Sequence, residues 1–255
     1  MRRLIINADD FGFTSDVNAG IVHAHLNGVL TSTTLMANGD AFDDAIRLAK
    51  QTPTLDVGAH LVLVQGCSLL DGRPLPEGPR QLLPVLAKRG LDVYAELKAQ
   101  IERIRTAGIK ISHLDSHKHT HLVPSVFRTV VKLADEFGIP WVRLPLDTTV
   151  RLGRLSVAFG NHYYRRFAAG KNVKLTDHFL GFRLTGSLTE ATFAQALRTI
   201  QDGTTEFMCH PGYLGDELKR ARTRLKESRA KELAALISPR IRQIISERAI
   251  ELGPF

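Results

Sequence analysis

The sequence Leu4-Ile5-Ile6-Asn7-Ala8-Asp9-Asp10-Phe11-Gly12 joins a short apolar run, typical of a β-strand, to two adjacent carboxylates. Three later strand-like runs likewise end in residues that bind metals or move protons: His60, His113-Leu114-Asp115-Ser116-His117-Lys118-His119-Thr120-His121, and His210-Pro211-Gly212. In (β/α) barrels, functional side chains lie at the carboxyl ends of the parallel strands. We therefore predict an α/β fold with one functional site built from these four strand ends.

Strand and helix patterns alternate along the whole chain, which favours a parallel sheet. About seven strands are predicted, at residues 4–8, 29–36, 55–59, 109–112, 139–144, 205–209 and 249–255. Helical patterns separate them at residues 14–28, 42–50, 91–107, 126–137, 188–200 and from 239 onwards. We predict a distorted or incomplete (β/α) TIM-like barrel, formed as a single domain over residues 1–255. A doubly wound open sheet is the alternative.

Two segments have weak periodicity, residues 66–84 and residues 147–184. Long connections at the functional end of a barrel usually shape the substrate pocket. The second segment is rich in basic residues, and an oligomer contact or an irregular helix is the alternative for it. Its basic residues are Arg151, Arg154, Arg165, Arg166, Lys171 and Lys174.

The chain has a formal net charge of +8, which makes a nucleic-acid partner conceivable. Much of the excess lies between Lys219 and Lys231, where basic residues are mixed with Glu217, Glu227 and Glu232. We interpret that stretch as a solvated helix face. The sequence contains neither zinc-finger spacing nor an RNP-like aromatic motif, so we expect no nucleic-acid partner.

Cellular location is indicated by three features of the sequence. The two cysteines, Cys67 and Cys209, have no paired spacing, which fits a reducing compartment. The apolar run after Arg2 and Arg3 is too short for a signal peptide, and no run reaches the length of a membrane span. We expect a cytoplasmic protein without stable membrane insertion, and the sequence leaves a homodimer open.

The Asp9-Asp10 pair points to a cation. Two buried neighbouring carboxylates repel each other unless a cation or a shared proton stabilises them. One Asp can ligate a metal while the other takes a proton from water. Neighbouring strand residues face opposite ways, so both reach one site only if the strand ends there, before Gly12. Alternatively, Asp9 and Asp10 serve as a helix cap and a loop residue.

Histidines supply the other candidate ligands. His60 alone is more typical of a core residue, but four histidines within residues 113–121 are a strong signal for metal binding or proton transfer. In a strand, His113, Asp115 and His117 share one face, with His117 nearest the carboxyl end. A hydrolytic site needs about three protein ligands and an open position, so His113, His119 and His121 would include outer hydrogen-bonding groups.

Two further residues end strand-like runs. His210, before a Pro-Gly turn, is a candidate general acid for a leaving group, with a structural histidine as the alternative. Arg143 follows a short predicted strand. We expect it either to hold one of the two aspartates or to lie on the surface.

Five segments together resemble the YdjC-like carbohydrate deacetylases, in the same order and over nearly the whole chain. They are residues 7–12 (NADDFG), 31–36 (TSTTLM), 58–61 (GAHL), 113–121 (HLDSHKHTH) and 209–213 (CHPGY). The resemblance implies a distorted (β/α) barrel and hydrolysis of an N-acetyl group on an amino sugar. It implies metal ligation by His60, His117 and one Asp of the pair, with Mg²⁺ as the usual ion. Zn²⁺ would also suit such a ligand set. Residues 66–84 and 147–184 depart from the family pattern, which leaves the particular sugar open.

The sequence therefore predicts a metal-dependent hydrolase acting on an N-acetylglucosamine-containing oligosaccharide or glycoconjugate. Asp10, His60 and His117 are the predicted ligands of one divalent ion, Asp9 the general base and His210 the general acid. The roles of Asp9 and Asp10 are interchangeable at this stage. A two-metal phosphoesterase is the alternative enzyme, and a basic nucleic-acid-binding protein is the alternative without catalysis.

Overall fold

The computed structural model describes residues 1–146 and 154–255, with side chains outside residues 147–159. Eight strands in this part of the chain form one sheet in which every strand pair is parallel. They are β1 (Arg2–Phe11), β2 (Ser32–Leu35), β3 (Asp56–Leu61), β4 (His113–Ser116), β5 (Trp141–Val142), β6 (His178–Leu180), β7 (Gly203–Cys209) and β8 (Ile250–Leu252).

The strand order is β5-β4-β3-β2-β1-β7-β6, and β8 pairs with the first residues of β1. Helices lie in the connections between the strands. This strand order is that of a (β/α) barrel in which β5 and β6, the two end strands, do not pair with each other. The predicted α/β fold with an incomplete (β/α) barrel is confirmed. A strand at residues 249–255 was predicted, and β8 is the part of it that pairs.

Ten α-helices are described, and two 3₁₀ turns at His117–Leu122 and Phe182–Leu184 accompany them. The helices are α1 (Ser15–Asn27), α2 (Phe42–Gln51), α3 (Pro79–Ala87), α4 (Val93–Thr106), α5 (Pro124–Phe137), α6 (Arg154–Ala168), α7 (Glu190–Leu197), α8 (Asp216–Arg220), α9 (Glu227–Leu236) and α10 (Pro239–Glu247). No helix in the described ranges is both long and apolar enough to span a bilayer.

Local sequence explains how these elements begin and end. β1 is buried from Leu4 to Phe11 because β2 and β7 flank it on both sides, which agrees with the apolar run Leu4-Ile5-Ile6 at its start. The Thr14 side chain caps α1 by accepting a hydrogen bond from the Val17 N–H at 3.2 Å. Gly138 ends α5 in the left-handed conformation, with φ at 65°.

Three predictions about elements need correction. Residues 66–84 were predicted as irregular, but α3 begins at Pro79, because proline suits the first turn of a helix. The short β6 was not predicted, since its three residues are too few to show alternation. The strand predicted at 109–112 lies instead at His113–Ser116, so His117 follows the strand in a 3₁₀ turn.

The basic segment at 147–184 contains α6 and β6 in its described part. Arg151, named among its basic residues, lies outside the described residues. Arg165, near the end of α6, donates hydrogen bonds to the carbonyl oxygen of Thr176 and the side chain of Asn161. Tyr164 of α6 donates to the carbonyl oxygen of Leu122 and packs against Phe127 of α5. In its described part, the segment therefore contains regular structure that packs onto the rest of the fold.

Candidate active site

Both carboxylates of the Asp pair reach one site because β1 changes its backbone conformation at its end. The register of β1 against β2 shifts between Ala8 and Phe11, and Asp10 has a φ of 71°. This left-handed residue interrupts the alternation of strand side chains. Asp9 and Asp10 consequently line the same cavity, although both are buried. Gly12, with φ at 93°, completes the turn.

Three side chains place one ligand atom each around a common point. His60 Nε2 lies 3.4 Å from Asp10 Oδ1, His117 Nδ1 lies 3.1 Å from the same oxygen, and the two nitrogens are 3.3 Å apart. Ligands held at about 2.1 Å from a metal are about 3.0–3.4 Å apart at octahedral or tetrahedral angles. The triangle therefore fits a single divalent ion.

Outer hydrogen bonds fix the tautomer of each histidine in this triangle. Asp115 Oδ1 lies 2.7 Å from His60 Nδ1 and accepts its proton, while Gln65 Oε1 lies 3.0 Å from His117 Nε2. The lone pairs on His60 Nε2 and His117 Nδ1 are left for a ligand. Such outer partners are a usual feature of metal-binding histidines and orient their rings.

The electrostatics of the triangle also favour a cation. Burial lowers the pKa of His60, but the carboxylates of Asp115, Asp10 and Asp9 outweigh it and raise the pKa to about 10. Burial raises the pKa of Asp10, yet Arg229 and His117 hold it well below its usual value. The carboxylates thus attract positive charge to the point where the ligand atoms converge, and a metal ion can supply that charge in place of a proton on His60.

Asp9 is held by a buried arginine rather than by the triangle. Arg143 Nη1 and Nη2 donate to Asp9 Oδ2 and Oδ1 at 2.8 and 2.7 Å, and Arg143 also pairs with Asp115 and Glu206. Burial raises the pKa of Asp9, but the Arg143 cation outweighs it and holds the pKa well below the usual range. Asp9 therefore stays ionised beside the ligand triangle. We expected Arg143 either to hold one of the two aspartates or to lie on the surface, and it holds Asp9.

Two of the remaining histidines of the His-rich segment have structural hydrogen bonds. His113 Nε2 lies 3.1 Å from Asn7 Oδ1, and His121 contacts the Ser116 hydroxyl and the Arg143 carbonyl oxygen. Burial lowers the pKa of both rings, to about 3 for His121. They therefore stay neutral and support the strand ends.

His210 lies in the cavity wall with Asp9 and Asp10. Its backbone N–H donates to Glu232 Oε2 at 2.6 Å, and its Nδ1 has no hydrogen-bonding partner among the described residues. Burial lowers the pKa of its ring to about 4, although Asp9 and Asp10 oppose the effect. The ring is therefore neutral at neutral pH.

These residues open into a cavity of about 600 Å³, a size suited to a small ligand. A second cavity of about 520 Å³ adjoins it and shares Gln65, His117 and Arg222. The wall of the first cavity presents both polar and apolar surface. It is completed by Lys118, His119, Phe182, Thr185, Met208, Arg222, Thr223, Arg224 and Leu225.

The interpretation of residues 219–231 as a solvated helix face is wrong for part of the stretch. Arg229 is 1% exposed and donates to Asp10 Oδ2, opposite the triangle. Glu232 is equally buried beneath His210. The missed signal is helical spacing, because Arg229, Glu232, Leu233 and Leu236 share one buried face of α9.

Comparisons with known proteins show the family of the chain. A family model described as "YdjC-like protein" matches residues 3–247. The chain is 36% identical to a carbohydrate deacetylase of Brevibacillus brevis, over 99% of this chain and 98% of that protein. It is 33% identical to a chitooligosaccharide deacetylase of Citrobacter koseri, over 100% and 98% of the two chains.

Solved structures show the same fold. A protein of Enterococcus faecalis V583 named for cellobiose-phosphate cleavage superposes with a TM-score of 0.82 at 26% identity, over 99% of this chain and 97% of that one. A mutant of a CE4 family pseudoenzyme from Bacillus anthracis has a TM-score of 0.50 at 15% identity, covering 100% and 66%. The second likeness concerns the fold alone.

Proposed function

Because this chain belongs to the YdjC-like protein family, we propose that it is a metal-dependent N-deacetylase of an N-acetylglucosamine-containing oligosaccharide or glycoconjugate. The observation that carries the proposal is the triangle of Asp10 Oδ1, His60 Nε2 and His117 Nδ1 beside an ionised Asp9. The full-length likeness to deacetylases supports the reaction. We further propose that residues 1–255 act as one domain.

Asp10, His60 and His117 would hold the ion. A divalent ion bound there supplies Lewis acidity toward an acetamide carbonyl and toward water. The family resemblance favours Mg²⁺, and the two nitrogen ligands would also suit Zn²⁺. Arg229 fixes Asp10 from the outer side and leaves Asp10 Oδ1 facing the two histidines.

Asp9 is the proposed general base that takes a proton from the attacking water. It is ionised, and it lines the cavity next to the ligand triangle. Arg143 donates to both oxygens of the Asp9 carboxylate. These hydrogen bonds lower the basicity of the carboxylate but fix its orientation. Such positioning reduces the entropic cost of the proton transfer.

His210 is the proposed general acid that gives a proton to the departing amine nitrogen. Its ring is neutral before the reaction, because burial lowers its pKa to about 4. Negative charge that develops on the substrate raises the proton affinity of a nearby ring. The proton removed from water can therefore pass to His210 and on to the amine.

A phosphoesterase with two metals is the second candidate. Asp9, His60 and Asp115 form another group of ligand atoms that could hold an ion. However, Arg143 already pairs with Asp9 and Asp115, at 2.7 Å in each case. The Arg143 guanidinium therefore already neutralises the two carboxylates that a second metal ion would have to bind. One ion, and hence a deacetylase, is the better match.

Two further proposals concern the setting of the enzyme. We propose a cytoplasmic protein that acts without stable membrane insertion, and we retain a homodimer as one option for its assembly. The nucleic-acid-binding alternative loses support because Arg229, one of the basic residues considered for it, is buried at the cavity.

The test is acetate release from N,N′-diacetylchitobiose before and after chelation, with Mg²⁺ or Zn²⁺ added back. We expect release that stops on chelation and returns with one of the two ions. Release that continues in the chelated protein would refute metal dependence. No release with either ion, from a protein that still binds one, would refute this disaccharide as a substrate.

A further inference from the structure

One histidine of the His-rich segment has no role in the site described so far. His119 lines the cavity, yet it is neither part of the ligand triangle nor bonded like His113 and His121. Its Nδ1 is buried and has no hydrogen-bonding partner among the described residues. The residue as a whole is only half-buried. Nε2 is not among the buried polar atoms, so it is the ring nitrogen open to a ligand in the cavity.

The backbone around His119 is strained in a way that presents its side chain. Lys118 and His119 both have φ at 52°, although neither is glycine. This conformation is disfavoured for any residue that has a Cβ, and strain of this kind collects at functional sites. Asp10 and Gln65 are left-handed too. Of the six such non-glycine residues described, these four line the cavity.

Phe182 stands next to His119 in the cavity wall. The two ring centroids are 5.3 Å apart, and Phe182 is 49% exposed, an unusual state for a large apolar side chain inside a cavity. The 3₁₀ turn that bears it follows Gly181, where a Cβ would lie 2.2 Å from the Met208 carbonyl oxygen. The close approach to β7 therefore fixes the position of Phe182. Phe179 also contacts His119, edge to face, at a centroid distance of 6.0 Å.

The wall as a whole suits a polar ligand with one apolar face. Of its fifteen residues, only Phe182, Met208 and Leu225 are apolar. A pyranose ring has this character, since its hydroxyl groups point outward while its C–H bonds form an apolar face.

We propose that His119 and Phe182 form the sugar-binding wall of the cavity. Phe182 stacks against the apolar face of the pyranose ring, and the Nε2 edge of His119 hydrogen-bonds one of its hydroxyl groups. This inference rests on the proposed function for the amino-sugar class of ligand. It adds two residues that select the sugar and take no part in holding the ion.

Binding of N,N′-diacetylchitobiose to the chelated protein, measured by calorimetry, tests this role without turnover. His119→Asn removes the nitrogen at the Nε2 position, whereas His119→Gln keeps one there. We expect about a 10-fold weaker Kd for His119→Asn, which is about 1.4 kcal/mol, and less than about a 3-fold change for His119→Gln. Phe182→Leu should likewise weaken binding about 10-fold, while Phe182→Tyr keeps the ring and the affinity.

The matched control is Arg89→Asn, since Arg89 is also left-handed at φ 52° but lies outside the cavity. It should bind the sugar as the wild type does, and every variant should still bind one metal ion. Equal affinities for all variants would overturn the proposal, as would loss of the ion in His119→Asn. Absence of disaccharide binding by the wild type would also overturn it. Failure of the proposed function would instead appear as intact binding without acetate release.

Discussion

At the scale of single residues, Asp9 and Asp10 are set apart by the two arginines that hold them. Arg143 contacts both oxygens of Asp9, whereas Arg229 takes only Oδ2 of Asp10. Asp10 Oδ1 is left 3.1 Å from His117 Nδ1 and 3.4 Å from His60 Nε2. This difference supports Asp10 as the ligand and Asp9 as the base.

Asp9→Asn separates these two roles. An amide cannot take the proton from water, so we expect kcat for acetate release to fall about 10²- to 10⁴-fold. The metal affinity should change little, because Asp9 contributes no atom to the ligand triangle. Steady-state kinetics and a metal titration on the same sample check both outcomes. A fully active Asp9→Asn enzyme would show that another group is the base.

Gln65 has a role that can be tested with substitutions of similar shape. Its Oε1 accepts from His117 Nε2 and so leaves Nδ1 for the ion. Gln65→Met removes the acceptor and should weaken metal binding about 10- to 100-fold. Gln65→Glu keeps an acceptor and should bind the ion about as tightly as the wild type or more tightly. Equal affinities of the two variants would show that the tautomer of His117 does not depend on this contact.

The sequence predicted which individual residues belong to the site, but not which residues hydrogen-bond to them. Asp9, Asp10, His60, His117 and His210 were found because strand-like runs end at them, and all five line one cavity. Their roles stay proposals. Arg229 and Gln65 were not found, because their contacts join loops and helices far apart in the chain. Arg229, for example, meets a carboxylate 219 positions away.

At the scale of elements, the packing of β3 against β4 depends on one small residue. A Cβ on Gly58 would lie 2.5 Å from the ring of His113, which is fully buried. The ring in turn stacks on Phe255 at a centroid distance of 3.7 Å and reaches Asn7. The adjacent strands β3 and β4 are thus tied through His113 to β1, which lies beyond β2 in the sheet.

Gly58→Ala should therefore lower the free energy of unfolding by about 1–3 kcal/mol, the usual range for overpacking a core. Gly90→Ala is the control, since a Cβ there meets only Val85, at an ordinary 3.5 Å. It should change the free energy of unfolding by less than about 0.5 kcal/mol. Denaturant unfolding of both variants makes the comparison. A Gly58→Ala protein as stable as wild type would mean that His113 has another position available.

Element prediction succeeded where an element is long and its pattern regular. α1, α2, α4, α5 and α10 lie within two or three residues of their predicted bounds. β6 has only three residues, so alternation cannot identify it, and its pairing depends on tertiary contacts. β5 was predicted, but the strand expected at residues 139–144 is longer than the two residues that pair. The left-handed turn at Asp10 was also beyond prediction, because aspartate itself prefers other conformations.

At the scale of the whole molecule, the barrel brings together groups that are distant in sequence. The ligand triangle joins β1, the end of β3 and the turn after β4, and Arg143 and His210 approach from the ends of β5 and β7. The predicted parallel sheet implied this convergence, because carboxyl ends of parallel strands meet at one edge. The sequence did not predict which side chains pair with each other at this edge, because those pairs depend on how the elements pack.

The most direct test of the account is the rate of acetate release from N,N′-diacetylchitobiose while metal is added stepwise to the chelated protein. We predict that activity rises from near zero and reaches its plateau at one ion per chain, since one triangle of ligand atoms is available beside Arg143. A plateau at two ions per chain, or acetate release without any added ion, would contradict the account.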